Sequence, residues 1–184
     1  MGAPVFIYTA PFRGGRQSED LLITAARAWC ASMGRGQIDL SVTRPEYGKP
    51  YFQNAPDICF SVTHSGDFWL CAISEQVVGL DLQQIRETKP LKIARRFFHS
   101  DEADYLEHHP GDFFTVWTAK ESYVKLTGRG IDDWFSDFSV ISGGAPRTEM
   151  DGASFRFLPF VPGYVLCLCC GDTSDVRISE IAQT

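Results

Sequence analysis

The sequence predicts an α+β protein of two similar lobes, with mainly antiparallel strands packed against helices. Short runs that alternate apolar and polar residues are typical of half-buried strands, and brief turns separate them. Segments with helical periodicity occur in both halves of the chain. The order of strand, helix and strands is followed by helices and strands again, with a seam near Glu75 to Val78. We therefore expect an N-terminal lobe at 1–76 and a C-terminal lobe at 77–184.

In the first half, a strand is predicted over Val5–Thr9 and a helix from Ser18, with Ser18 as its N-cap and an end at Gly34 or Gly36. Alternating apolar residues predict further strands at 38–42, 58–62, 68–74 and 77–82. In the second half, helices are predicted over 91–98, 101–108 and 113–126, the last ended by Gly128. Strands are predicted near 138–141, 154–158, 164–169 and 176–181.

Composition excludes several classes of protein. With 184 residues, 44% hydrophobic and 13% aromatic, the chain can build a core and is not disordered. Its net charge of −6 argues against a general nucleic-acid binder. No apolar stretch approaches the roughly 20 residues that span a bilayer, and the first residues do not resemble a signal peptide. We expect a cytoplasmic protein that contacts neither nucleic acid nor membrane.

Six cysteines lie in apolar segments without any C-x-x-C pair. Neighbouring cysteines on a strand point to opposite faces, so they cannot surround one metal ion. We expect reduced, buried thiols.

Two polar segments in the first half could bind an anion. Lys49 lies between Gly48 and Pro50, and a lysine on such a stiff turn can contact a phosphate. Thr63 and His64 follow the alternating strand around Val62 and could supply further donors. A histidine that merely ends a strand is the structural alternative.

Two polar segments in the second half could bind a cation. Asp81 interrupts an apolar strand two residues after Gly79, where an unpaired carboxylate would be costly to bury, and Gln83 shares its face. Glu121 and Lys125 share one face of the helix over 113–126. An ordinary Glu–Lys helix pair is the alternative, but Asp81 and Glu121 could together hold one Mg²⁺.

These segments carry a resemblance to a known family. In order they read GKPYF (48–52), FSVTHSGDFW (60–69), VGLDL (78–82), ARRFF (94–98) and WTAKESYVKLTGRG (117–130). This set resembles the 4′-phosphopantetheinyl transferases, and among them the larger single-chain branch that activates peptide and polyketide synthases. The resemblance implies the fold of that family, two pseudo-twofold lobes in one chain, and a monomer.

The resemblance also implies an activity, a holo-[acyl-carrier-protein] synthase type of phosphopantetheinyl transfer. Such enzymes move 4′-phosphopantetheine from coenzyme A to a serine of an acyl, peptidyl or aryl carrier protein and release adenosine 3′,5′-bisphosphate. By position, Asp81 and Glu121 would hold Mg²⁺ in the C-terminal lobe, and Lys125 would contact the diphosphate. Glu121 is the candidate base, with Glu102 as a second candidate. Lys49, Thr63 and His64 would bind the 3′-phosphate and ribose.

Two departures from the family pattern matter. Many relatives read G-x-D-x-E, whereas this chain has Gln83 at the last position. We expect Gln83 to ligate the metal more weakly than a carboxylate and the site to remain active. Relatives also carry several basic residues before the first helix, and here Arg13 and Arg16 are assigned that role at the 3′-phosphate.

Five basic residues and one acidic residue lie between Arg86 and Arg96, beside Phe97 and Phe98. A solvated helix face is one interpretation, and a docking patch for an acidic carrier protein is the other. The alternative to an enzyme as a whole is a non-catalytic relative that binds coenzyme A or a carrier protein. Gln83 is its only support.

Overall fold

The computed structural model describes residues 2–14, 17–129 and 133–181. Within these ranges the helices are α1 (Gln17–Ser32), α2 (Pro90–Phe97), α3 (Ser100–His108) and α4 (Phe113–Thr127), with short 3₁₀ turns at Pro110–Asp112 and Asp133–Ser136. The strands are β1 (Val5–Pro11), β2 (Val42–Thr43), β3 (Tyr51–Phe52), β4 (Cys59–Ser65), β5 (Phe68–Ser74), β6 (Val78–Gln84), β7 (Ile141–Ser142), β8 (Ala145–Pro146), β9 (Glu149–Met150), β10 (Ala153–Leu158), β11 (Tyr164–Cys170) and β12 (Val176–Glu180). None of the helices described is both long and apolar enough to cross a bilayer.

Two four-stranded sheets organise these elements. Their orders are β12-β1-β5-β4 and β6-β11-β10-β9. The pairings are antiparallel except that β1 and β12 run parallel. The predicted α+β class with mainly antiparallel sheets is therefore confirmed.

The predicted seam near residue 76 falls between β5 and β6, where the chain passes from one sheet to the other. The last strand does not follow this division, because Val176–Glu180 pairs with β1 in the first sheet. The division into lobes at 1–76 and 77–184 therefore remains a prediction. By sheet membership, the last strand, β12, belongs with the N-terminal half.

Buried apolar side chains form three hydrophobic clusters. Helix α1 packs on one face of the first sheet around Trp29 and Trp69. Helices α2, α3 and α4 cover the second sheet around Leu106 and Val116. Between the sheets, aliphatic side chains such as Leu80 join the two layers. All six cysteines are free thiols, as predicted, and five of them are buried.

Three local predictions differ from the structure. Residues 38–41 do not form a strand, because Asp39 accepts hydrogen bonds from the backbone and hydroxyl of Ser41 and so favours a turn. Ser18 does not cap α1, which begins at Gln17. Its hydroxyl instead accepts a hydrogen bond from Nε1 of Trp69 at 2.8 Å. This bond satisfies the N–H of an indole that is fully buried. The strand predicted at 138–141 shortens to Ile141–Ser142.

Candidate active site

Side-chain hydroxyls join the two sheets where β4 meets β6. Alternate residues of β4 direct a hydroxyl at β6, and each accepts a hydrogen bond from a backbone N–H of that strand. The pairs are Leu80 N to Ser61 Oγ (2.9 Å), Leu82 N to Thr63 Oγ1 (3.1 Å) and Gln84 N to Ser65 Oγ (2.9 Å). This hydroxyl ladder holds two strands of different sheets in fixed register, and it engages Thr63, which the sequence assigned to an anion.

Gly79 lets β6 approach α4 closely. A Cβ at this position would lie 1.9 Å from the carbonyl oxygen of Ser122 and 2.6 Å from the backbone nitrogen of Leu126, so no side chain fits. Asp81 lies two residues further along the strand and therefore on the same face. The glycine thus brings the Asp81 carboxylate to the helix that carries Glu121 and Lys125.

Asp81 is the centre of a buried polar cluster and is 2% exposed. Its Oδ1 accepts from Nζ of Lys125 at 2.7 Å and from Oγ1 of Thr63 at 3.1 Å. Its Oδ2 accepts from Nε2 of Gln83 at 2.9 Å, so the amide nitrogen of Gln83, not its oxygen, faces the carboxylate. The structure therefore brings together four of the residues predicted from the sequence.

Glu121 lies one helical turn before Lys125 and is buried. Burial and, to a smaller extent, the Asp81 carboxylate raise the pKa of its carboxyl to about 7, and Lys125 opposes the shift. Two carboxylates thus share one buried site with a single ammonium group.

This donor set fits a hard divalent cation. In the described residues, no three His, Cys, Asp or Glu side chains are grouped so that they could hold a metal ion. Mg²⁺ needs fewer, because one or two carboxylates complete its shell together with water and substrate phosphates. Burial and repulsion by the Asp81 carboxylate together raise the Glu121 pKa, and such a cation would relieve the repulsion.

A cleft of about 320 Å³ opens beside this cluster. Its lining comes from α1, the turn at 44–50, β4 and the end of α4, and it includes the cations Arg44, Lys49 and Lys125. Three cations around one cleft in a protein of net charge −6 suit a polyanionic ligand.

Sequence reasoning missed Arg44, which lines the cleft and pairs with Glu19 at 2.9 Å. The signal was its place four residues before Gly48, at the start of the same turn-rich segment.

Lys49 reaches this cleft from the turn between β2 and β3. Its Nζ donates to the carbonyl oxygen of Val78 at 2.7 Å and to that of Lys125. Burial lowers the pKa of its ammonium group to about 8, and the nearby charge of Lys125 acts in the same direction. The ammonium group is therefore directed at backbone carbonyls in this structure, and its predicted contact with a phosphate stays a prediction.

The other predicted anion-binding residues lie in different surroundings. His64 is exposed, and its ring stacks on Phe12 with centroids 4.6 Å apart. Arg13 is also exposed, and Arg16 lies outside the described residues. Thr63 is buried on Asp81, as given above. Of the described residues, His64 and Thr63 therefore lie in different surroundings, one exposed and one buried.

Glu102 is fully buried and holds an ion pair with Lys120 at 2.9 Å. It also accepts from the backbone N–H of Val140 (2.7 Å) and of His99 (3.1 Å). Lys120 lies over the ring of Phe138, 3.8 Å from its centroid. A carboxylate enclosed in this way cannot reach a substrate hydroxyl, so the structure does not support Glu102 as a base.

The basic segment at 86–96 is mostly exposed, but its aromatic neighbours differ. Phe97 is 47% exposed and lies beneath the guanidinium of Arg96, whereas Phe98 is buried in the core of the second sheet. Arg95 pairs with Glu107 at 2.6 Å. Phe98 therefore does not belong to the surface on which the sequence placed it.

The fold and the site define an α+β protein whose cation-lined cleft lies beside a carboxylate pair. Residues 77–169, half of the chain, match the 4′-phosphopantetheinyl transferase superfamily. The chain belongs to this superfamily, and the match covers β6, α4 and the cluster around Asp81.

Curated relatives agree with this assignment. The chain is similar to a 4′-phosphopantetheinyl transferase of Bacillus subtilis, with 34% identity over 66% of this chain and 55% of the relative. It is also similar to the 4′-phosphopantetheinyl transferase Sfp of Bacillus subtilis strain 168, with 33% identity over 71% and 63% of the two chains. The transferase gsp of Aneurinibacillus migulanus is 42% identical over 47% of this chain and 37% of the relative. The chain thus spans less than two thirds of the length of these relatives.

Proposed function

We propose that this chain transfers 4′-phosphopantetheine from coenzyme A to a serine of an acyl, peptidyl or aryl carrier protein and releases adenosine 3′,5′-bisphosphate. The observation that carries the proposal is the buried cluster of Asp81, Glu121 and Lys125 beside the cleft. The cluster lies within the segment that matches the superfamily. The relatives named above are transferases of this type.

Asp81 and Glu121 are the residues that would hold Mg²⁺, with Gln83 as a weaker third ligand. When bound, the ion supplies positive charge that stabilises the attacked and leaving phosphate oxygens. Gln83 would have to turn its amide oxygen toward the ion, because its nitrogen faces Asp81 in the structure. This requirement supports weaker metal binding than a glutamate would give.

Lys125 and Glu121 have separate proposed roles. The Lys125 ammonium lies at the edge of the cleft, where it can contact the diphosphate of coenzyme A. Glu121 is proposed to accept the proton of the carrier serine. Its position on the same helical face, one turn away, supports a site in which both groups act on one phosphate.

Coenzyme A is proposed to lie along the cleft with its phosphates toward the cations. Arg44 joins His64, Arg13 and Arg16 as proposed contacts of the ligand. Of the other residues proposed from the sequence, Lys49 is directed at two backbone carbonyls. Thr63 would act through Asp81, whose carboxylate it contacts. The lining between α1 and α4 supports a ligand held across the two sheets.

The exposed basic residues of 86–96, with Phe97, are the proposed docking patch for an acidic carrier protein. Reversing Arg95 and Arg96 to glutamate should raise the KM for the carrier protein and leave coenzyme A affinity unchanged. Equal effects on both ligands would contradict this patch. We further propose a monomer that works in the cytoplasm.

The experiment is to incubate the protein with coenzyme A, Mg²⁺ and a panel of apo carrier domains, and to measure the mass of each carrier. One added phosphopantetheine on at least one carrier, lost with a chelator, is expected. Binding of coenzyme A without transfer to any carrier would favour the non-catalytic alternative, for which the amide at Gln83 is the supporting observation.

A further inference from the structure

Lys49 lies where the turn between β2 and β3 packs against the end of α4. Gly48, with φ +96°, and Pro50 fix the turn that carries it. Its side chain crosses the C-cap of α4 at Gly128, where a Cβ would lie 2.8 Å from Lys49 Cγ and 3.1 Å from Lys49 N. Gly128 also has φ +75°. The end of the helix is therefore shaped to let this lysine pass.

The two carbonyls that Lys49 contacts belong to the two elements of the candidate site. Val78 is the first residue of β6, three residues before Asp81, and its oxygen is 2.7 Å from Nζ. Lys125 is in the last turn of α4, and its own side chain pairs with Asp81. The Lys49 ammonium group, from the turn between β2 and β3, thus connects the backbones of β6 and α4.

The environment of this ammonium group suits a structural contact better than a ligand contact. No ion pair joins Lys49 to a carboxylate within the described ranges, so carbonyl dipoles, including the negative end of α4, stabilise its charge. A half-buried cation held in this way is costly unless its hydrogen bonds are kept. Two of the three N–H donors of the ammonium group are engaged by these carbonyls.

We propose that Lys49 is a positioning residue: it holds the last turn of α4 against the start of β6 and so keeps the Lys125 ammonium on Asp81. The inference rests on the proposed function, because the aligned pair is the part of the site that would meet the diphosphate. Lys49 does this from outside the reacting groups, without touching coenzyme A.

The test compares Lys49→Met with Lys49→Gln and measures both transfer and binding. We expect kcat to fall about tenfold or more and the KM for coenzyme A to change less than about threefold, since alignment of the reacting groups is lost and ligand contacts are not. The ratio of affinities for coenzyme A and 3′-dephospho-coenzyme A should stay as in the unchanged protein. Arg44→Met, in the same cleft, is the matched control and should raise the KM instead.

A phosphate-binding lysine would give the opposite pattern. Loss of coenzyme A affinity with no loss for 3′-dephospho-coenzyme A would overturn the inference, as would an unchanged kcat in both variants. Lys49→Gln keeps one donor for the carbonyls, so it remains measurable if the methionine variant does not fold.

Hydrogen exchange gives a readout that does not depend on transfer. The Gly128 amide, which donates to the Val124 carbonyl at 2.9 Å, should exchange faster in both Lys49 variants than in Arg27→Met, an exposed change elsewhere on the surface. Absence of transfer by the unchanged protein would refute the proposed function. Unchanged exchange at Gly128 would refute the role of Lys49.

Discussion

The ammonium of Lys125 lies 2.7 Å from Oδ1 of Asp81, although 44 positions separate the two residues. Thr63 contacts the same oxygen, and Glu121 places a second carboxylate close enough for the Asp81 charge to raise its pKa. One cation among two buried carboxylates leaves the cluster with excess negative charge when both carboxylates are ionised.

Metal-free protein should lose stability as pH rises from about 4.5 to about 7, because folding raises the pKa of Glu121 from its usual 4.5 to about 7. In this range the folded state binds the proton more tightly than the unfolded chain, so deprotonation favours unfolding. Urea denaturation in a chelating buffer at pH 5 and pH 7.5 measures the loss. Glu121→Gln should remove most of it, whereas the exposed Glu46→Gln should not. Equal pH dependence in all three proteins would contradict the raised pKa.

Gln83→Glu should lower the Tm of the metal-free protein and increase the rise in Tm that Mg²⁺ and coenzyme A produce. A carboxylate at this position would face Asp81, from which the Gln83 amide is now 2.9 Å away, and only a cation would compensate the repulsion. Thermal denaturation over a Mg²⁺ titration measures both effects. A smaller response to Mg²⁺ in the variant would contradict a metal at this position, and so would an inactive parent beside an active variant.

Thr63→Val should destabilise the protein by about 1–3 kcal/mol, since it leaves the Leu82 N–H without its acceptor and removes a donor from Asp81. Ser65→Ala removes the corresponding contact at the exposed end of the hydroxyl ladder and should cost clearly less. Urea denaturation of both variants gives the comparison. An equal loss of unfolding free energy in the two variants would contradict a larger contribution from the buried end of the hydroxyl ladder.

Lys120→Met should destabilise the protein by about 3–5 kcal/mol, because Glu102 would be left as a buried carboxylate without its cation. Adding Glu102→Gln to this variant should recover part of the loss. Arg95→Met, which breaks the exposed pair with Glu107, should cost less than about 1 kcal/mol. Similar losses for the buried and exposed pairs, measured by urea denaturation, would contradict the account of this pair.

Much of the site was predictable because its signals are local. Helix α4 ends at Gly128 as the sequence indicated, and the glycine before Asp81 marked the close approach of a strand to another element. The shared helical face of Glu121 and Lys125 follows from their spacing alone.

The remaining features depend on which elements meet in three dimensions. The hydroxyl of Thr63 looked like a ligand donor because nothing in its own segment shows that β6 will lie opposite. The same holds for Ser18, whose hydroxyl is taken by an indole from β5. Lys49 on its stiff turn gave no sign that two distant carbonyls would accept its ammonium group.

The central claim is that Asp81, Glu121 and Lys125 form the site of phosphopantetheine transfer. Its most direct test is the rate at which a carrier domain gains one phosphopantetheine, measured by mass spectrometry for the unchanged protein, Asp81→Asn, Glu121→Gln and the surface control Arg27→Met. The account predicts Mg²⁺-dependent transfer by the unchanged protein and the control, and a loss of at least about a hundredfold in the two carboxylate variants. Transfer at the full rate by either carboxylate variant would contradict it.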